Sequence, residues 1–118
     1  LHQIIGSGDM NIKDTMSMYN YRATVLKVVD GDTVDLLIDL GFNISIKVRG
    51  RLAYVDTPER GHNDWHYATE TCASLLEENA DLDGYVSVKT TKTGKYGRWI
   101  VDIEGVNKAL AEKWPYES

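Results

Sequence analysis

The chain has 118 residues and a mass of 13.3 kDa, room for one domain with one modest core. Its 42% apolar and 26% charged residues are ordinary globular values that disfavour disorder, and no run approaches the ~18 apolar positions of a membrane helix. The net charge of −5 argues against tight non-specific nucleic-acid binding, but the charge is segregated. Residues 61–83 hold acids and no Lys or Arg, whereas residues 84–101 hold Lys89, Lys92, Lys95 and Arg98 and no acid.

Residues 1–18 show no sustained period and read as a loose arm ahead of a single domain over 19–118. Residues 21–29 are rich in β-formers and stop at Asp30-Gly31. Over 33–40, Val34, Leu36, Ile38 and Leu40 share one face. Gly41-Phe42-Asn43 supplies a turn, and 44–55 alternates again with Ile44, Ile46, Val48 and Leu52 inward. Pro58 ends that strand. Asn63 or Asp64 caps a helix over 65–80, on which Ala68, Cys72, Leu75, Leu76 and Ala80 recur at helical spacing. Strands follow at 85–90 and 98–103, separated by a loop at 93–97, and Val106, Ala109 and Leu110 mark a short last helix closed by Pro115. Three strands, a helix, two strands and a helix is the order of a five-stranded OB-fold barrel, mainly β, with one helix between strands 3 and 4 and a short C-terminal helix. Tyr85 and Trp99 are read as barrel core. The single cysteine, Cys72, excludes internal disulfides and cysteine-rich zinc sites and reads as core packing.

Asp30-Gly31-Asp32-Thr33 and Asp56-Thr57-Pro58-Glu59 are two acidic turns at strand ends. If both lie at one barrel edge, Asp32, Asp56 and Glu59 converge, and three ionised carboxylates need a cation between them. Oxygen donors point to a hard ion, Ca²⁺ or Mg²⁺. Arg51 and Arg98 present planar forks that match phosphate oxygens. Metal, carboxylate and two guanidiniums together suit phosphoryl transfer. His62 and His66 stand four apart, but Asn63 replaces the Glu of the zincin motif, so the pair reads as structural.

The blocks Val29-Asp30-Gly31-Asp32-Thr33, Arg51-Leu52-Ala53-Tyr54-Val55-Asp56-Thr57-Pro58-Glu59 and Lys95-Tyr96-Gly97-Arg98 resemble, in order and spacing, the signatures of the staphylococcal nuclease (thermonuclease) family. Val106-Asn107-Lys108-Ala109-Leu110 resembles the family's second helix, so the likeness covers about residues 21–113. The resemblance implies an OB-fold, Ca²⁺-dependent phosphodiesterase that cleaves DNA and RNA and leaves 3′-phosphate ends. It implies that Asp32 and Asp56 bind Ca²⁺ through carboxylates and Thr57 through its main-chain oxygen, with Asp30 behind them. Glu59 matches the general base, Arg51 and Arg98 the transition-state arginines, and Lys95 and Tyr96 the contacts to a terminal phosphate. A monomer without membrane attachment is expected. The resemblance leans toward secretion, although residues 1–18 contain no signal-peptide pattern. Two features depart from the family: the chain is acidic, and it ends at Ser118 without a further helix and a pair of tyrosines. The rival reading is a non-catalytic module of the same fold that binds nucleic acid or protein. Such copies typically lack site residues, whereas Asp32, Asp56, Glu59, Arg51 and Arg98 are all present here.

Overall fold

The computed structural model describes residues 19–90 and 99–116. The arm over 1–18, the loop over 93–97, and Lys95, Tyr96 and Arg98 lie outside the described residues. The elements run β1 (Tyr19–Asp30), β2 (Thr33–Gly41), β3 (Ile44–Leu52), α1 (Trp65–Asn79), β4 (Tyr85–Thr90), β5 (Trp99–Ile103) and α2 (Asn107–Lys113). The strands close into a barrel in the order β1-β2-β3-β5-β4, with β4 returning to β1. All pairings are antiparallel except β3 with β5, which is parallel. This is the mainly-β, five-stranded OB-type barrel expected from the sequence, with its two helices in the expected places. Among the described residues no helix is long and apolar enough to cross a membrane.

The alternation of apolar residues builds the core. Ala23, Val34, Leu36, Ile38, Val48, Leu52, Val86, Val88, Val101 and Ile103 point inward from the strands and are buried. Cys72 and Leu76 of α1 close one side, and Val106 and Leu110 close another around α2. The long β1 serves two neighbours, β2 and β4. Its register against β2 shifts at Val25/Lys27 and Val28/Asp30, which lets the strand bend around the barrel.

Four local expectations change. Leu40, Ile44 and Ile46 are 41%, 55% and 45% exposed, because among the described residues β3 meets β5 only over Gly50, Arg51 and Leu52 and the rest of the β2–β3 hairpin projects past the barrel. Strand β3 stops at Leu52, three residues short of the expected end, where Tyr54 turns to φ 68°. Trp99 has the inward parity of Val101 and Ile103, but it opens β5 opposite Gly50 and remains 36% exposed at the rim. Tyr85 is half-buried, with the Arg22 guanidinium carbon 4.3 Å from its ring centre. At the start of α1, Asp64 holds the cap position without a side-chain cap bond, and its carbonyl accepts the amide of Ala68.

Candidate functional site at one end of the barrel

The two acidic turns meet. Asp30 ends β1, Gly31 and Asp32 make the turn, and Thr33 opens β2. A Cβ on Gly31 would lie 2.8 Å from the Thr57 side chain, so close approach of the two turns requires glycine there. The Thr57 amide donates to Asp32 Oδ2 at 3.2 Å, and the Thr33 hydroxyl donates to Asp32 Oδ1 at 3.1 Å. The Leu52 amide donates to the Asp32 carbonyl at 2.8 Å. Asp32 thus takes its orientation from β2, from the end of β3 and from the second turn.

Arg51 enters at the same end because it pairs with Thr33 across the β2–β3 ladder. Its Nη1 lies 3.4 Å from Asp32 Oδ2 and donates to the carbonyls of Val55 at 2.9 Å and Leu52 at 3.3 Å. Its Nη2 is 3.9 Å from Asp56 Oδ1, an ion contact too long for a hydrogen bond. The guanidinium therefore sits between the two aspartates. Asp56 reaches solvent, with 58% of its side chain exposed.

The segment bearing Asp56 is held by the tail behind α2. The Asp56 amide donates to the Trp114 carbonyl at 2.9 Å, Val55 bridges to Pro115, and the Tyr116 amide donates to the Tyr54 carbonyl at 3.0 Å. Residues 56–60, His62 and Trp114 line an open cleft of about 580 Å³. Glu59 is exposed in that cleft. Trp65, from the first turn of α1, donates its indole N–H to Asp30 Oδ1 at 2.6 Å. The Arg60 guanidinium carbon stands 4.6 Å from the centre of the Trp65 ring.

The expected convergence of Asp32, Asp56 and Glu59 does not occur as a three-acid cluster. Among the described residues no three His, Cys, Asp or Glu side chains lie close enough to share an ion. Arg51 supplies positive charge between Asp32 and Asp56, and Glu59 lines the open cleft together with Asp56. The two aspartates and Thr57 still form an all-oxygen donor set, which suits a hard cation better than zinc. Among the described residues the buried Thr57 hydroxyl has no hydrogen-bond partner. Two carboxylates and a main-chain oxygen can hold such an ion only if waters complete its shell.

Cys72 and the two histidines have structural roles. Burial pushes the Cys72 thiol up to about 12, and the Asp32 charge adds to the effect, so it is an inert core residue as expected. His62 Nδ1 accepts the Asp64 amide at 3.0 Å, and His66 pairs with Glu70 at 2.9 Å, so the two histidines serve different partners. Three neighbours of the site were not singled out by pattern. Trp65, Trp114 and Tyr116 reach the site through folding, and the Trp-Pro-Tyr sequence after α2 was the available signal.

The fold and site together define an OB-type barrel with an arginine-bridged pair of aspartates at one end. No family model matches the chain. It is similar to protein ParB of Escherichia coli, with 31% identity over 94 residues. That match covers 80% of this chain and 47% of the relative, so the chain spans about half the length of the curated protein it matches.

Proposed function

We propose that this end of the barrel is the site of a Ca²⁺-dependent phosphodiesterase of the staphylococcal nuclease type, acting on DNA and RNA. The observation that carries the reading is the Arg51 guanidinium held between Asp32 and Asp56 at the edge of a cleft that also holds Glu59. Asp32, Asp56 and the main-chain oxygen of Thr57 would hold the ion, with Asp30 behind them. A bound Ca²⁺ supplies Lewis-acid stabilisation of phosphate oxygens. Glu59 takes a proton from water as its oxygen attacks phosphorus. Arg51 and Arg98 meet the charge that develops on the phosphoryl oxygens. The P–O5′ bond breaks, the 5′ oxygen takes a proton from solvent, and the other product keeps a 3′-phosphate.

Digestion of single-stranded DNA and RNA in Ca²⁺ and in excess EGTA tests this reading, with end-labelling to identify the 3′-phosphate. Cleavage is expected in Ca²⁺ only, with Mg²⁺ substituting poorly because the site suits a larger, more flexible shell. Undiminished cleavage in EGTA refutes the role of the ion.

One observation favours a second reading. Among the described residues the polar contacts of Arg51 go to two aspartates and two carbonyls of the fold, as in a module whose arginine is structural. Oligonucleotide binding without cleavage under any ionic condition would select that module over the enzyme.

A further inference from the structure

Building on the nuclease reading, we propose that Arg60 is a second phosphate-binding residue, gripping a phosphodiester next to the one cleaved and favouring oligonucleotides over substrates with a single phosphate. Arg60 follows Glu59 directly and lines the same cleft as Asp56. Its guanidinium lies over the Trp65 ring at 4.6 Å. A guanidinium stacked on an indole is held by its face and keeps its N–H edge for a ligand. The platform is itself fixed, because the Trp65 indole donates to Asp30 at 2.6 Å. Arg60, Trp65 and Asp30 thus form a braced line that starts beside the catalytic turn and ends at an exposed cation.

The contrast with Arg51 is chemical. Arg51 directs its nitrogens at two carboxylates and two carbonyls inside the fold. Arg60 makes no ion pair among the described residues, although Asp56 and Glu59 line the same cleft. Charge along the chain points the same way. Between Ala53 and Asp83 the sequence contains one basic residue apart from histidine, Arg60, against Asp56, Glu59, Asp64, Glu70, Glu77, Glu78, Asp81 and Asp83. Among the residues that line the cleft Arg60 is the one cation apart from His62, so a polyanionic strand entering it beside Asp56 and Glu59 meets its favourable charge there.

The test is equilibrium binding of a short fluorescent oligothymidylate, in Ca²⁺, to the full chain carrying Glu59→Gln, with and without Arg60→Gln. Affinity should fall about tenfold, as expected for one lost charge-assisted phosphate contact. The slope of log K against log salt should become shallower by about 0.7, the share of one phosphate on a single strand. Arg60→Lys, which keeps the charge and loses the planar fork, should preserve the slope and recover part of the affinity. A loss of affinity with an unchanged slope would mean that Arg60 acts through packing, and it overturns the proposal. So does an Arg60→Gln variant that binds like its parent while the unmodified chain cleaves DNA; the nuclease reading survives that result. An unmodified chain that neither binds nor cleaves removes both.

Discussion

Replacing Asn107 should destabilise the fold by an amount that its contacts set. Asn107 is 2% exposed and uses its amide three times. Oδ1 accepts the Ile103 amide at 2.8 Å, and Nδ2 donates to the carbonyls of Ala53 and Val101, each at 2.9 Å. It thereby ties α2 to β5 and to the end of β3, just before the segment that carries Asp56. In Asn107→Ala, the Val101 carbonyl keeps the Ala53 amide at 2.8 Å, but Ile103 N–H loses this acceptor within the core. A stranded buried donor costs about 1–3 kcal/mol, and the void left by the amide adds about 1 kcal/mol, for a total near 2–4 kcal/mol. Against a typical domain stability of ~5–15 kcal/mol that is a large fraction. Urea unfolding followed by circular dichroism should show a lower midpoint with an unchanged slope. Asn107→Leu fills the space but strands the same groups, so it should not restore stability. A cost under about 1 kcal/mol for Ala, or full recovery with Leu, would refute the hydrogen-bond argument.

Glu59→Gln keeps the side chain's shape and removes its basic oxygen, so turnover should drop by ~10²-fold or more while the unfolding midpoint holds; near-normal turnover at saturating Ca²⁺ would assign the water to another group. The hydrogen bonds from Arg49, at 2.8 and 3.1 Å, hold the Asp35 carboxyl below its usual range. Because its folded pKa is depressed, the pair contributes stability above the unfolded value of about 3.9 and loses it as pH falls through the folded value. The stability gap between the unmodified chain and Asp35→Asn should therefore close in acid, and a gap that persists unchanged below both values would contradict the pairing. Cys72, buried and with its thiol raised to about 12, should react with a thiol reagent only at the rate of unfolding; fast labelling in native buffer would show an open path to it.

The sequence by itself determined the barrel. Alternation placed Val34, Leu36 and Ile38 of β2 and Val86 and Val88 of β4 inward, though Leu40 at the end of β2 is exposed, and helical spacing of Ala68, Cys72 and Leu76 set the buried face of α1. These signals are local, because period two and period 3.6 follow from the backbone geometry of one element. It also marked the two acidic turns, whose Asp-Gly and Thr-Pro pairs cannot continue a strand.

What the tertiary structure decided was which charges meet. Spacing along the chain gave no reason to expect a cation among Asp32, Asp56 and Glu59, yet the fold inserts Arg51 between the two aspartates and sets Asp56 and Glu59 together along an open cleft. The register of β2 against β3 places Arg51 opposite Thr33, and no single strand encodes that register. Likewise Ile44 and Ile46 have the pattern of core residues, but among the described residues β3 pairs with β5 over just three positions, which leaves them exposed. Trp65, Trp114 and Asn107 take their roles from partners 35, 58 and 54 residues away, at Asp30, Asp56 and Ala53. Contacts at that separation depend on how the barrel closes, and a pattern read within one element carries no information about them.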